Sequence, residues 1–152
     1  MKKTLTKREL RERWGSVPKF NIRESLLSST SPFGNTHDGY LDLRGVTIND
    51  SLHKLTFSHV DFSCCLLDLG QFVSDVTDCI FTNADLKSFM GVRFSNCSFF
   101  KAKMVESWMR GEYSSCCFDE VDLSKRSVNK AIFFDCSFQY SSLCETEFFF
   151  CT

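Results

Sequence analysis

The sequence predicts an all-β solenoid: about five to six stacked, four-sided coils behind a short, partly helical N-terminal cap. Three observations carry that prediction. Large apolar residues recur five apart, as at Phe94, Phe99 and Met104, which is neither a helical spacing nor a strand alternation. The triplets return as rows: Phe57, Phe62, Leu67; Val76, Phe81, Leu86; Phe94, Phe99, Met104; Tyr113, Phe118, Leu123; Phe133, Phe138, Leu143. Small residues hold columns of their own. Val60, Cys79, Cys97, Cys116 and Cys136 stand two before each middle position, and Cys65, Ala84, Ala102, Val121 and Ser141 two before each third.

Rows follow one another after 19, 18, 19 and 20 residues. A circuit of four sides, each turning one large and one small side chain inward, accounts for that repeat. Successive circuits stack about 4.8 Å apart, so equivalent residues fall above one another as ladders. Each buried Phe or Leu then contributes about 1.5–3 kcal/mol. Rows shorter than twenty clip one corner by a residue, near 72–76, 86–94 and 109–113.

Taken in order, Thr6-Lys7-Arg8-Glu9 reads as a capping box opening a helix that runs to about Trp14 and stops at Gly15. Its basic face, Lys7, Arg8 and Arg11, is expected to be solvated. Ile22 to Leu27 suits a second short helical turn after Pro18, and Ser28 to Gly39 has loop composition. Residues 1–40 are read as a cap over the first coil and 41–152 as the solenoid, beginning with Leu43 and Ile48 five apart.

The rows resemble pentapeptide-repeat proteins, whose pattern is a small residue, Asp or Asn, Leu or Phe, then two polar positions. Ala84-Asp85-Leu86, Val121-Asp122-Leu123 and Val60-Asp61-Phe62 match it; Cys79-Ile80-Phe81, Cys97-Ser98-Phe99 and Cys136-Ser137-Phe138 match with the acidic position replaced. The resemblance covers roughly 41–152 and implies a right-handed quadrilateral β-helix.

Composition narrows the function classes. The net charge of −1 excludes a generally basic nucleic-acid binder, and it divides into +4 over residues 1–40 and −5 over 41–152. The first residues carry charge without an apolar stretch, and no run reaches the about 18 apolar residues of a membrane span. A cytoplasmic address with reduced thiols is the expectation, and nine cysteines cannot all pair within the chain.

The Cys79–Cys136 column reads as compact apolar spacers. No CxxC pair supports zinc. The histidines are His37, His53 and His59, a nucleophile–base pair would be one such as His59 with Cys64, and Asp61, Asp85 and Asp122 read as solvated or locally bonded rather than as acid/base partners. No glycine-rich phosphate loop is present. The expectation is a non-enzyme without cofactor or metal.

Binding is therefore sought on the surface. Phe89, Trp108, Phe100, Phe134 and Tyr140 fall in outward slots and are the candidate partner-binding residues. Phe148, Phe149 and Phe150 lie on the last coil, where the family resemblance suggests a two-fold homodimer through the C-terminal turn. The expected role is to neutralise or regulate a partner protein, for example as a bacterial immunity protein against a toxin. Neither a membrane nor direct nucleic-acid contact is expected. The alternative implied by the resemblance is a DNA mimic acting on DNA gyrase, although Lys87, Arg93, Lys101, Lys103, Arg110, Lys125, Arg126 and Lys130 interrupt any acidic stripe.

Overall fold

Stacked parallel β-coils form the molecule, as a computed structural model that describes residues 4–50, 52–67, 72–86, 91–104, 109–124 and 127–149. The N-terminal segment holds helix α1 (Lys7–Glu12), a 3-10 turn (Arg13–Ser16) and helix α2 (Ile22–Ser28). Eleven strands follow among the described residues: β1 (Leu41–Asp42), β2 (Thr47–Ile48), β3 (Leu52–Ser58), β4 (Val60–Asp61), β5 (Leu66–Leu67), β6 (Phe72–Thr77), β7 (Asp85–Leu86), β8 (Gly91–Ser95), β9 (Met109–Ser114), β10 (Ser127–Phe134) and β11 (Glu147–Phe149).

All strand pairs are parallel, and each strand lies against its equivalent one coil away. One side is β1 against β4, continued by single bridges from Asp61 through Ile80, Ser98 and Cys117 to Ser137. A second is β2, β5 and β7, continued through Lys103 and Asp122 to Ser142. The six-stranded sheet β3–β6–β8–β9–β10–β11 makes up the rest of the circuit. Its strands pass a corner, where β3 and β10 turn through left-handed Lys54 and Lys130. The clipped corners are located there. Register slips by one residue at Val73–Asp75, Gly91–Arg93 and Met109–Gly111, as the shortened rows require.

A type II turn makes a second corner. Each middle-row aromatic accepts a hydrogen bond from the small residue three places on, Cys65 to Phe62 at 3.0 Å, Ala84 to Phe81 at 3.1 Å and Ala102 to Phe99 at 2.9 Å. The residue between them, Cys64, Asn83 or Lys101, is left-handed as that turn demands. Such a backbone costs about 1 kcal/mol or more per non-glycine residue, and the identical turns stacked on either side hold it.

The core is two aromatic ladders. Phe62, Phe81, Phe99, Phe118 and Phe138 stack with ring centroids 5.2, 5.0, 4.8 and 5.0 Å apart and planes within 12°. Phe94, Tyr113 and Phe133 stack beside them, meeting the first ladder edge-on. Stacking is imposed by the coil spacing, which leaves a flat ring no other way to repeat. The cysteine column has a reason beyond size: Cys79, Cys97, Cys116 and Cys136 each donate a thiol to the carbonyl two residues before, at 3.3, 3.3, 3.4 and 3.5 Å.

The N-terminal segment supplies hydrogen-bond partners for the outer edge of the first coil. Asp42 N–H donates to Gly34 O at 3.0 Å, and Tyr40 O accepts from Thr36 N–H at 2.8 Å. Asp42 O accepts the Ser31 hydroxyl, and Arg44 O accepts Arg13 Nη2 and Trp14 Nε1, each at 2.8 Å. Buried backbone groups require such partners. α2 covers the same end with Ile22 and Leu26, both in the core. α1 begins with the expected capping box, Thr6 with Glu9, but tightens into the 3-10 turn at Arg13, where the side chains of Arg13 and Trp14 reach back to Arg44 O.

Candidate functional site

Outward columns of the solenoid are mostly polar and paired along the stack. Arg93 lies 3.6 Å from Asp75 below it and 3.4 Å from Glu112 above, and Lys101 pairs with Glu120 at 3.2 Å. These ladders alternate in sign, unlike the unbroken negative array of duplex DNA.

Against that background, the exposed large apolar residues of the described solenoid all fall on its last coil: Ile132, Phe134, Tyr140, Leu143 and Phe148. Phe134 is 72 % exposed and stands where lower coils have Ser58, Thr77, Ser95 and Ser114; Tyr140 is 89 % exposed at the left-handed turn position. The two occupy opposite corners of one side. Phe100 sits on the outward column of Ser63, Asp119 and Gln139, two coils below the last, about 10 Å along the axis. It is only half-exposed, with Lys101 Nζ 4.8 Å from its ring centre. Phe89, Trp108 and Phe150 lie outside the described residues. Phe149 has its backbone paired with Asn129, and its side chain also lies outside them.

Phe148 faces inward. It stacks in register on Val128, which lies on Met109, and is half-open as a member of the last coil. With Phe133, Phe138 and Leu143 it completes one circuit of inward side chains five residues apart. Two members of the patch escaped sequence reasoning. Ile132 is visible in the sequence only by column, since Thr56, Asp75, Arg93 and Glu112 fill its slot below. Leu143 has an inward register, and its exposure follows from its place in the stack.

The chemistry-bearing residues are drawn into structural contacts. His59 stacks on Tyr40 at 5.5 Å and lies 3.8 Å from Asp78, not against Cys64. Asp61 accepts from Ser63 N–H and Asp122 from Ser124 N–H, both local as expected. Asp85 departs from that expectation by taking Lys7 and Arg11 of α1 at 3.2 and 2.6 Å, so this part of the basic face is docked rather than solvated. Burial raises the thiols of Cys64 and Cys65; hydrogen bonding to Cys97, then burial, raises Cys116. These are weak nucleophiles. Among the described residues, no group of three or more His, Cys, Asp or Glu side chains is placed to hold a metal ion. No helix among them is long and apolar enough to cross a membrane.

No protein-family model matches the chain, and comparison with curated proteins finds no match.

Proposed function

We propose that this chain is a non-catalytic, protein-binding solenoid of the pentapeptide-repeat type that neutralises or regulates a partner protein in the cytoplasm. A bacterial toxin countered by its immunity protein is the case its size and mild charge fit. The observation that carries this reading is the confinement of exposed large apolar side chains, among the described residues of the solenoid, to the last coil. Large apolar groups gathered in one part of an otherwise polar surface are the usual mark of a partner site.

The coil offers two surfaces. Ile132, Phe134 and Tyr140 point outward and suit the partner. Leu143 and Phe148 lie on the open end and suit a second copy. End-on association closes at two, because head-to-tail stacking needs the first coil's edge, which the N-terminal segment occupies.

The test is affinity capture from the native cell with the wild type and with Ile132→Ser/Phe134→Ser. The expected result is a stoichiometric partner that the double variant loses while its melting temperature holds. Equal recovery by both would overturn the assignment of this face. Inhibition of gyrase supercoiling at micromolar protein would favour the DNA-mimic reading instead.

A further inference from the structure

Helix α1 runs along a corner of the solenoid with a pitch that matches the stack beneath it. A helical turn rises about 5.4 Å and a coil about 4.8 Å, so Lys7 and Arg11, at i and i+4 of α1, meet successive coils, and Trp14 of the following 3-10 turn meets the next. Lys7 Nζ donates to Asn83 O at 3.0 Å, Arg11 Nε to Cys64 O at 2.9 Å, and Trp14 Nε1 to Arg44 O at 2.8 Å. Those three carbonyls belong to one corner in the third, second and first coils.

The two halves of this contact differ in kind. Arg13 and Trp14 are anchored: Arg13 pairs with Asp42 while only 14 % exposed, and its guanidinium lies 3.8 Å over the Phe33 ring. Residues 4–12 are held by one buried leucine and by two ion pairs that water and salt can reach. Lys7 and Arg11 remain 37 % and 31 % exposed, and Leu10 is the one buried apolar side chain of α1. The helix leaves a footprint. Cys64 is 7 % exposed, whereas Asn83, Lys101, Glu120 and Tyr140, at the same turn position on other coils, are all exposed.

We propose that residues 4–12 form an electrostatic strap that lifts from this corner as a unit, hinging at Arg13, while α2 and the solenoid stay folded. Lifting uncovers the Cys64 thiol and the Asp85 carboxylate together with the corner carbonyls, a strip made of acceptors. Ions in solution compete for it, since the Lys7 and Arg11 pairs are solvent-accessible and screening shortens from about 10 Å at 0.1 M salt to about 3 Å at 1 M.

The experiment is iodoacetamide labelling of the folded full-length chain at about 0.1 M and about 1 M potassium chloride, read by mass spectrometry at Cys64, Cys65 and Cys144. Iodoacetamide is neutral, so salt leaves the reagent unaffected, and exposed Cys144 is the internal standard. Cys64 labelling is expected to rise about tenfold at high salt, with Cys65 and Cys144 unchanged. Arg11→Gln should reproduce the rise at low salt with an unaltered far-UV circular dichroism spectrum. Unchanged Cys64 labelling in both arms overturns the proposal. So does a rise that Cys65 shares, because that reports opening of the solenoid itself.

Discussion

Asp42 and Asp61 stand directly above one another in parallel register, yet their surroundings push their acidities in opposite directions. Burial would raise Asp42, but hydrogen bonds from Arg44 and Arg13 outweigh it and hold the carboxyl well below the usual range. Those arginines lie 2.7 and 2.6 Å away. One coil on, Asp61 has Arg44 only at 3.9 Å, so burial dominates and pushes its carboxyl up despite the Ser63 hydrogen bonds. The arginine pair is committed to the end of the stack.

That difference has a pH signature. Asp42 is more acidic folded than unfolded, so its stabilisation is complete well above the ordinary value of 3.8 and is lost as pH falls below it. Asp61 has the reverse sign: ionised at neutral pH it costs stability, and protonation relieves that cost. Asp42→Asn should destabilise by about 3 kcal/mol at neutral pH and flatten the acid limb of the stability profile. Asp61→Asn, which keeps an oxygen toward Ser63 N–H, should leave the melting temperature unchanged or higher. Thermal melts across the acid range decide it; equal losses in the two variants would refute the asymmetry.

Position along the ladder should grade the cost of a cavity. Phe99 is fully buried between Phe81 and Phe118, so Phe99→Ala should cost about 3–5 kcal/mol. Phe138, in the last coil, is only partly buried, and the same truncation there should cost clearly less. Denaturant midpoints measure both.

Gly45 is required by a close approach. A Cβ there would lie 2.4 Å from Leu10 O and 2.5 Å from its carbonyl carbon, on a backbone with φ of +76°. Gly45→Ala should therefore dislodge α1 and cost at least about 1 kcal/mol from the backbone alone. Raised amide exchange at Leu10 and Arg11 would report it, and wild-type protection would contradict it.

Thiol accessibility should follow the stack. In the native protein Cys144 is expected to react fast, while Cys65, Cys79, Cys97 and Cys116 resist. In denaturant all nine cysteines should titrate; a deficit would mean that some are oxidised.

The stack was legible in the sequence because each inward slot is filled by the same kind of residue in every row. Even the clipped corners followed from counting between Val76 and Phe94, or Phe94 and Tyr113. What the repeat does not encode is contact across it. Lys7 and Arg11 meet Asp85 over more than seventy positions of chain, and nothing in the local pattern of either segment marks the pairing. The binding candidates divide along the same line. Phe134 and Tyr140 departed from their columns and are exposed, but the half-coverage of Phe100 by Lys101 depends on side-chain direction, which a column does not give.

Each coil pairs only with neighbours 18 to 20 residues away along the chain, as Val76 does with Phe94 and Tyr113 with Phe133. The covered end is also the end made first by the ribosome. A nascent chain can complete that end and then add coils one at a time onto a finished template, without waiting for distant sequence. Throughout synthesis each new coil finds the edge it pairs with already in place.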